Sequence, residues 1–144
     1  MLSEIIPGKL WQSGSLDTPF DEMEVWRRGI RYVVNLCGDD PIRHVPSDLQ
    51  PFTEVRWEFD DDHVLPDEAA LAAVADRTAA AVRAGTRVLV HCAAGLNRSS
   101  LVTALVLARL TPMRGPELVE YIRARRSPDC LFNRTFAGYV EKIP

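Results

Sequence analysis

The stretch VLVHCAAGLNRSS, residues 88–100, passes from an apolar run into a short polar loop. Arg87–His91 (RVLVH) reads as a compact buried strand. Cys92 stands at its carboxyl end, and five residues separate it from Arg98, where a helix opens. In open α/β sheets ligands sit outside the carboxyl ends of the strands, so this position is a candidate binding site. The backbone N–H groups of the loop, Ala93 to Arg98, can converge on one anion at the start of a helix. Gly95 permits the close backbone approach such a cradle needs. Arg98 adds a planar, permanently charged fork that matches two oxygens of a phosphate. In that field Cys92 is expected to act as a nucleophile rather than as a packing thiol. Taken singly, Cys92 reads as a core cysteine and Arg98 as a surface cation. Taken together, His-Cys-x-x-Gly-x-x-Arg-Ser/Thr has a chance probability on the order of 10⁻⁵ in a chain of this length, which favours the functional reading.

Outward from this stretch, strands and helices alternate. Lys9–Ser13 reads as a short edge strand. Thr18 and Pro19 open a helix over Pro19–Arg28, closed by Gly29. Ile30–Cys37 (IRYVVNLC) is an apolar, β-branched central strand, and Gly38–Pro51, with three prolines, is a loop. Glu54–Phe59 alternates Val55, Trp57 and Phe59 with charged residues, as a half-buried strand does. Asp67 caps an alanine-rich helix running to Ala84, with Leu71, Val74, Thr78 and Val82 on one face. Cys92–Ser99 is a loop, with the body of the next, strongly apolar helix over Ser100–Leu110. Two further helices are expected, Pro116–Arg126 and Asn133–Ile143. The pattern predicts one α/β domain over residues 1–144: a central, mostly parallel sheet flanked by helices, with a helical C-terminal third.

The chain has 144 residues, 47% of them hydrophobic and 26% charged, with a formal net charge of −3. That excludes disorder and leaves no basic excess for a dedicated nucleic-acid binder. Three cysteines, Cys37, Cys92 and Cys130, are too few and too scattered for a disulfide framework or a tetrahedral zinc site. The N-terminus lacks a basic, then apolar, leader pattern, and Leu101–Leu110 is about half the ~20 residues of a membrane span. A cytoplasmic location, with no membrane partner, is the expectation.

His91, Cys92, Gly95, Arg98 and Ser99 match, position by position, the signature of the cysteine-based protein tyrosine phosphatases, and the chain most resembles their dual-specificity branch. The resemblance covers most of the chain, including the acidic turn before the motif and the helices after it. It implies that Cys92 attacks phosphorus to give a cysteinyl-phosphate. It further implies that Arg98 and the amides of Ala93, Ala94, Gly95, Leu96 and Asn97 hold the phosphoryl oxygens. Ser99 would ease departure of the thiolate, and His91 would orient the loop. No metal and no cofactor is implied. The expected partner is a phosphoprotein or phosphopeptide.

Family members take the leaving-group proton from an Asp about thirty residues upstream. Here the turn is WEFDDDH, and Asp60, 32 residues before Cys92, has the favoured spacing; Asp61 and Asp62 compete, and a solvated acidic turn describes those not used. Such a turn could also hold a divalent cation, a reading the metal-free chemistry disfavours. Cys37 is read as a buried structural thiol, against a redox partner for Cys92. Trp11, Trp26 and Trp57 are assigned to core or edge packing, and His44 and His63 to the surface. The loop positions Ala93, Ala94, Leu96 and Asn97 are uncharged, which argues against a phosphoinositide head group. GLNR also resembles the RNA 5′-triphosphatase branch, whose Thr-Gly after the arginine is replaced here by Ser99-Ser100. A rhodanese-like domain and an inactive phosphate-binding module are the readings outside this class.

Overall fold

The computed structural model describes residues 1–38, 42 and 45–144. Part of the Gly38–Pro51 loop and the surface assignment of His44 lie outside the described residues. The strands are β1 (Ser3–Ile6), β2 (Leu10–Ser13), β3 (Ile30–Asn35), β4 (Thr53–Arg56) and β5 (Arg87–His91). The helices are α1 (Pro19–Arg27), α2 (Glu68–Arg83), α3 (Arg98–Leu110), α4 (Pro116–Arg125) and α5 (Arg134–Glu141).

One five-stranded sheet forms, in the order β1-β2-β5-β3-β4. Among the described residues only the β1–β2 pair is antiparallel. The expected single α/β domain with a mostly parallel sheet is therefore what folds. β5 lies at the centre, and both its neighbours run parallel to it, Ser13 and Asn35 flanking His91 in register. The carboxyl ends of three strands thus meet beside Cys92.

Helices cover both faces of the sheet. On one face α1 packs through Val25 onto Leu2, Trp11, Ile30, Val33 and Leu89. The opposite face carries the larger core, built with α2, α3, α4 and α5 around Leu10, Val34, Val88 and Val90. Every residue of α3 from Ser99 to Leu107 is buried. An apolar helix buried all round must lie between layers, and α3 packs against β2 and β5 on one side and against α2, α4 and α5 on the other. The helical C-terminal third is this second layer.

The helix signals act where the sequence puts them. Thr18 and Asp21 form a reciprocal capping box on α1. Asp67 accepts from the Ala69 and Ala70 amides to cap α2. The buried face of α2 adds Ala75 and Ala79 to Leu71, Thr78 and Val82, while Val74 is half-buried. Trp11 is buried, Trp26 meets Phe52 edge-on, and Trp57 packs against Phe59.

Several boundaries differ from the sequence expectation, each for a local reason. β1 is an additional strand, closed onto β2 by Pro7-Gly8; its four residues are too few to show a period. β3 stops at Asn35 rather than Cys37, because the Asn35 side chain accepts from the Cys37 amide and turns the chain. β4 covers Thr53–Arg56 rather than Glu54–Phe59. After Trp57 pairs with the Asn35 carbonyl, the chain leaves the sheet toward Arg98. α3 starts at Arg98, two residues before its expected body, and Asn133 caps α5 instead of lying within it.

Candidate active site

Cys92 follows β5 directly and is buried, 2% exposed. Its Sγ accepts from the Gly95 amide at 3.2 Å and lies 3.3 Å from Ser99 Oγ. The Gly95 amide thus donates to the sulfur, and the Ser99 hydroxyl stands within hydrogen-bond reach of it. His91 is buried in β5 immediately before the loop, and its carbonyl accepts from Leu36.

The loop owes its shape to donors placed behind it. The Ala93 carbonyl accepts from the Ser15 amide, and that of Ala94 from Arg126 Nη2. The Gly95 carbonyl accepts from Arg126 Nε and Gln12 Nε2, and that of Leu96 from the Leu131 amide. In a trans peptide the N–H points opposite to the C=O. Four consecutive carbonyls held from behind therefore turn the amides of Ala94, Gly95, Leu96 and Asn97 the other way. The Gly95 amide, on Cys92 Sγ, displays that direction.

Gly95 has a φ of +71°, a conformation costly for any side chain, and a Cβ there would collide with the Gly14 amide and Arg126. Gly14 is constrained in turn by the Ala93 carbonyl.

Arg98 opens α3, with one terminal nitrogen 3.3 Å from the Phe59 carbonyl. Its Nε is buried without an acceptor among the described residues, a donor that an oxyanion would satisfy. Asn97 occupies the N-cap of α3 but does not cap it. Its side chain donates instead to Asp61 at 2.9 Å and accepts from the Asn133 amide at 2.9 Å. The first amides of α3 are thus left without a side-chain cap, as an anion-binding helix start requires.

The acidic turn is fastened to this loop on both sides of Asp60. Phe59, just before it, meets Arg98, and Asp61, just after it, takes hydrogen bonds from Asn97 and from Asn133 Nδ2 at 2.8 Å. Asn133 Nδ2 also donates to the Asp62 carbonyl, and Thr135 to that of His63. Asp60 itself is exposed, and its carboxylate makes no hydrogen bond among the described residues. Asp61 is a structural tether rather than a merely solvated carboxylate, which corrects the expectation for it. His63 is exposed, as expected. Among the described residues no group of three His, Cys, Asp or Glu is arranged to hold a metal ion.

Sequence reasoning missed Gln12, Asn133 and Arg126. Gln12 is fully buried on β2 and donates to Gly95, Ser99 and Ser100. Its one legible signal was a polar residue within a strand. Arg126 is half-buried, and burial lowers its pKa. Its guanidinium holds carbonyls of the loop that follows the candidate nucleophile. Cys37, half-buried beyond β3, and Cys130, buried, form no disulfide among the described residues.

Residues 21–142 match the family model described as "Dual specificity phosphatase, catalytic domain". Human DUSP28 is similar at 25% identity over 99% of this chain and 94% of its own, with a TM-score of 0.79. A mouse putative dual specificity phosphatase, solved with zinc tungstate, is 24% identical over 98% of this chain and 84% of its own, with a TM-score of 0.81. The human tyrosine phosphatase-like serine/threonine/tyrosine-interacting protein is 19% identical over 98% and 93%, also with a TM-score of 0.81. No curated protein sequence matches the chain significantly. No helix among the described residues is long and apolar enough to cross a membrane.

Proposed function

Since the chain belongs to the dual specificity phosphatase catalytic-domain family, we propose that it hydrolyses phosphate monoesters of proteins, phosphotyrosine first and phosphoserine or phosphothreonine with it. The observation that carries this reading is the donor set around one sulfur. Cys92 Sγ has the Gly95 amide and the Ser99 hydroxyl on it, beside an arginine whose buried Nε has no acceptor among the described residues.

In this mechanism the Cys92 thiolate attacks phosphorus, forming an S–P bond as the ester P–O bond breaks. Arg98 and the loop amides hold the three non-bridging oxygens, whose charge they stabilise. Asp60 delivers its proton to the leaving oxygen, so that an alcohol or phenol departs. Water then attacks the phosphocysteine and gives its proton back to Asp60. The S–P bond breaks, with Ser99 donating to the departing thiolate. Asp61 fixes the turn that presents Asp60.

A protein monoester suits the neutral loop better than a polyanion does. Ala93, Ala94, Leu96 and Asn97 carry no charge, and the Arg126 guanidinium is turned to carbonyls behind the loop.

The test is release of phosphate from p-nitrophenyl phosphate. It should be blocked by vanadate, indifferent to EDTA and lost in Cys92→Ser. Retained turnover in that variant would sink the reading. A panel of phosphopeptides, phosphoinositides and triphosphate RNA then decides the substrate class, and a preference for either of the last two would overturn the protein assignment.

A further inference from the structure

We propose that Arg126 is a positioning residue for phosphoryl transfer: its guanidinium pulls the Ala94 and Gly95 carbonyls backward, so that the Gly95 and Leu96 amides face the anion. This inference rests on the phosphatase reading above.

Arg126 is the C-cap residue of α4, far from the motif in sequence. Its Nε lies 2.6 Å from the Gly95 carbonyl and its Nη2 3.4 Å from that of Ala94. Nη1 reaches Ser3 Oγ at 3.0 Å and the Gln12 and Met1 carbonyls at 3.4 Å. One side chain thereby joins the loop to β1 and β2. The fork matters, because two nitrogens on one edge serve two consecutive carbonyls, which a lysine ammonium cannot imitate in the same plane.

All of these acceptors are carbonyl or hydroxyl oxygens; among the described residues no carboxylate pairs with this guanidinium. Its positive charge is therefore left to act on the loop. An arginine serving only to fasten α4 would be expected to gain a carboxylate partner or to point into solvent. The neighbouring Arg125 does the latter: it is exposed, lying over the Tyr121 ring. It provides the control.

The experiment compares the parent with Arg126→Met, Arg126→Lys and Arg125→Met. Vanadate inhibition, kcat and KM for p-nitrophenyl phosphate, carboxymethylation of Cys92 by iodoacetate and circular dichroism are measured on each. In folded Arg126→Met, vanadate affinity should fall about tenfold or more, the range expected for lost charged hydrogen bonds. Carboxymethylation should slow several-fold and kcat should fall more than KM rises. Arg125→Met should match the parent. Arg126→Lys, which keeps the charge and loses the fork, should recover only part of the vanadate affinity. Vanadate affinity and Cys92 reactivity within twofold of the parent in Arg126→Met would overturn the proposal. If that variant does not fold, the same result in Arg126→Lys overturns it. A parent that vanadate neither inhibits nor protects from iodoacetate would instead overturn the phosphatase reading itself.

Discussion

Gln12 on β2 donates through Nε2 to Ser99 Oγ on α3 at 3.1 Å, and that same oxygen lies 3.3 Å from Cys92 Sγ. The amide orientation follows from its other partner: the Gly95 carbonyl can only accept, so Nε2 must face it. Ser99 has a single proton. Nε2 has two protons for three acceptors, so Ser99 Oγ shares the second with Ser100 Oγ at 2.8 Å, and the Ser99 proton is left to serve the sulfur.

Removing this donor should therefore act on the second chemical step. In Gln12→Leu, steady-state kcat is expected to fall about tenfold while the first, phenol-releasing turnover changes less. Rapid-mixing kinetics would show a larger burst before a slower steady state. Equal loss in both phases would contradict the assignment. Two serine hydroxyls and a carbonyl lose a buried partner, so urea unfolding should also show a loss of about 1–3 kcal/mol.

Asp60 and Asp61 should separate cleanly by mutation. Asp60→Asn is expected to lower kcat by about 10²–10⁴ on esters with poor leaving groups, and far less on p-nitrophenyl phosphate. It should also abolish the fall in kcat with rising pH that a required protonated acid imposes. Asp61→Asn breaks the link to Asn97 and Asn133. It should depress both substrates alike and keep that pH limb. The reverse pattern would make Asp61 the acid.

Gly95→Ala should be damaging out of proportion to one methyl group. The φ of +71° and the packing on Gly14 and Arg126 leave a Cβ no place. A loss of about 1–3 kcal/mol from backbone strain is expected in chemical denaturation, with weaker vanadate binding. An active, equally stable variant would show that the loop can relax.

Glu54 makes stability depend on pH. Burial raises its carboxyl pKa above 4.5, against the opposing hydrogen bond from the Ile42 amide and the charge of Arg56. A raised folded-state pKa means that the native state holds the proton more tightly than the unfolded chain. This carboxyl therefore favours folding at low pH, and that contribution is lost as pH rises from 4.5 through the folded value. Glu54→Gln should flatten this part of the melting temperature–pH curve. An unchanged slope would exclude Glu54 as its source.

The residues 88–100 carried their reading because strand, loop and helix there are written contiguously. The order of apolar run, cysteine, glycine and arginine specifies both the backbone path and its charge. Caps such as Thr18 and Asp67 were legible for the same reason, since each satisfies amides within three residues of itself. The boundaries of β3 and β4 were not, because their ends depend on where the chain must turn toward Arg98.

By itself, the sequence determined the alternation of strands and helices, the phosphate-loop motif and a short list of acidic candidates, all of them properties of neighbouring residues. Only the tertiary structure decided which groups stand behind that loop. Gln12, Arg126 and Asn133 come from a strand, a helix cap and a second helix cap, lying 80, 34 and 41 positions from Cys92. Hydrogen bonds act over about 3 Å, and nothing in local order reveals which distant donors the packing of β2, α4 and α5 will bring within that range. The same packing tied Asp61 to Asn97 and left Asp60 free, a division among adjacent carboxylates that their spacing alone could not make.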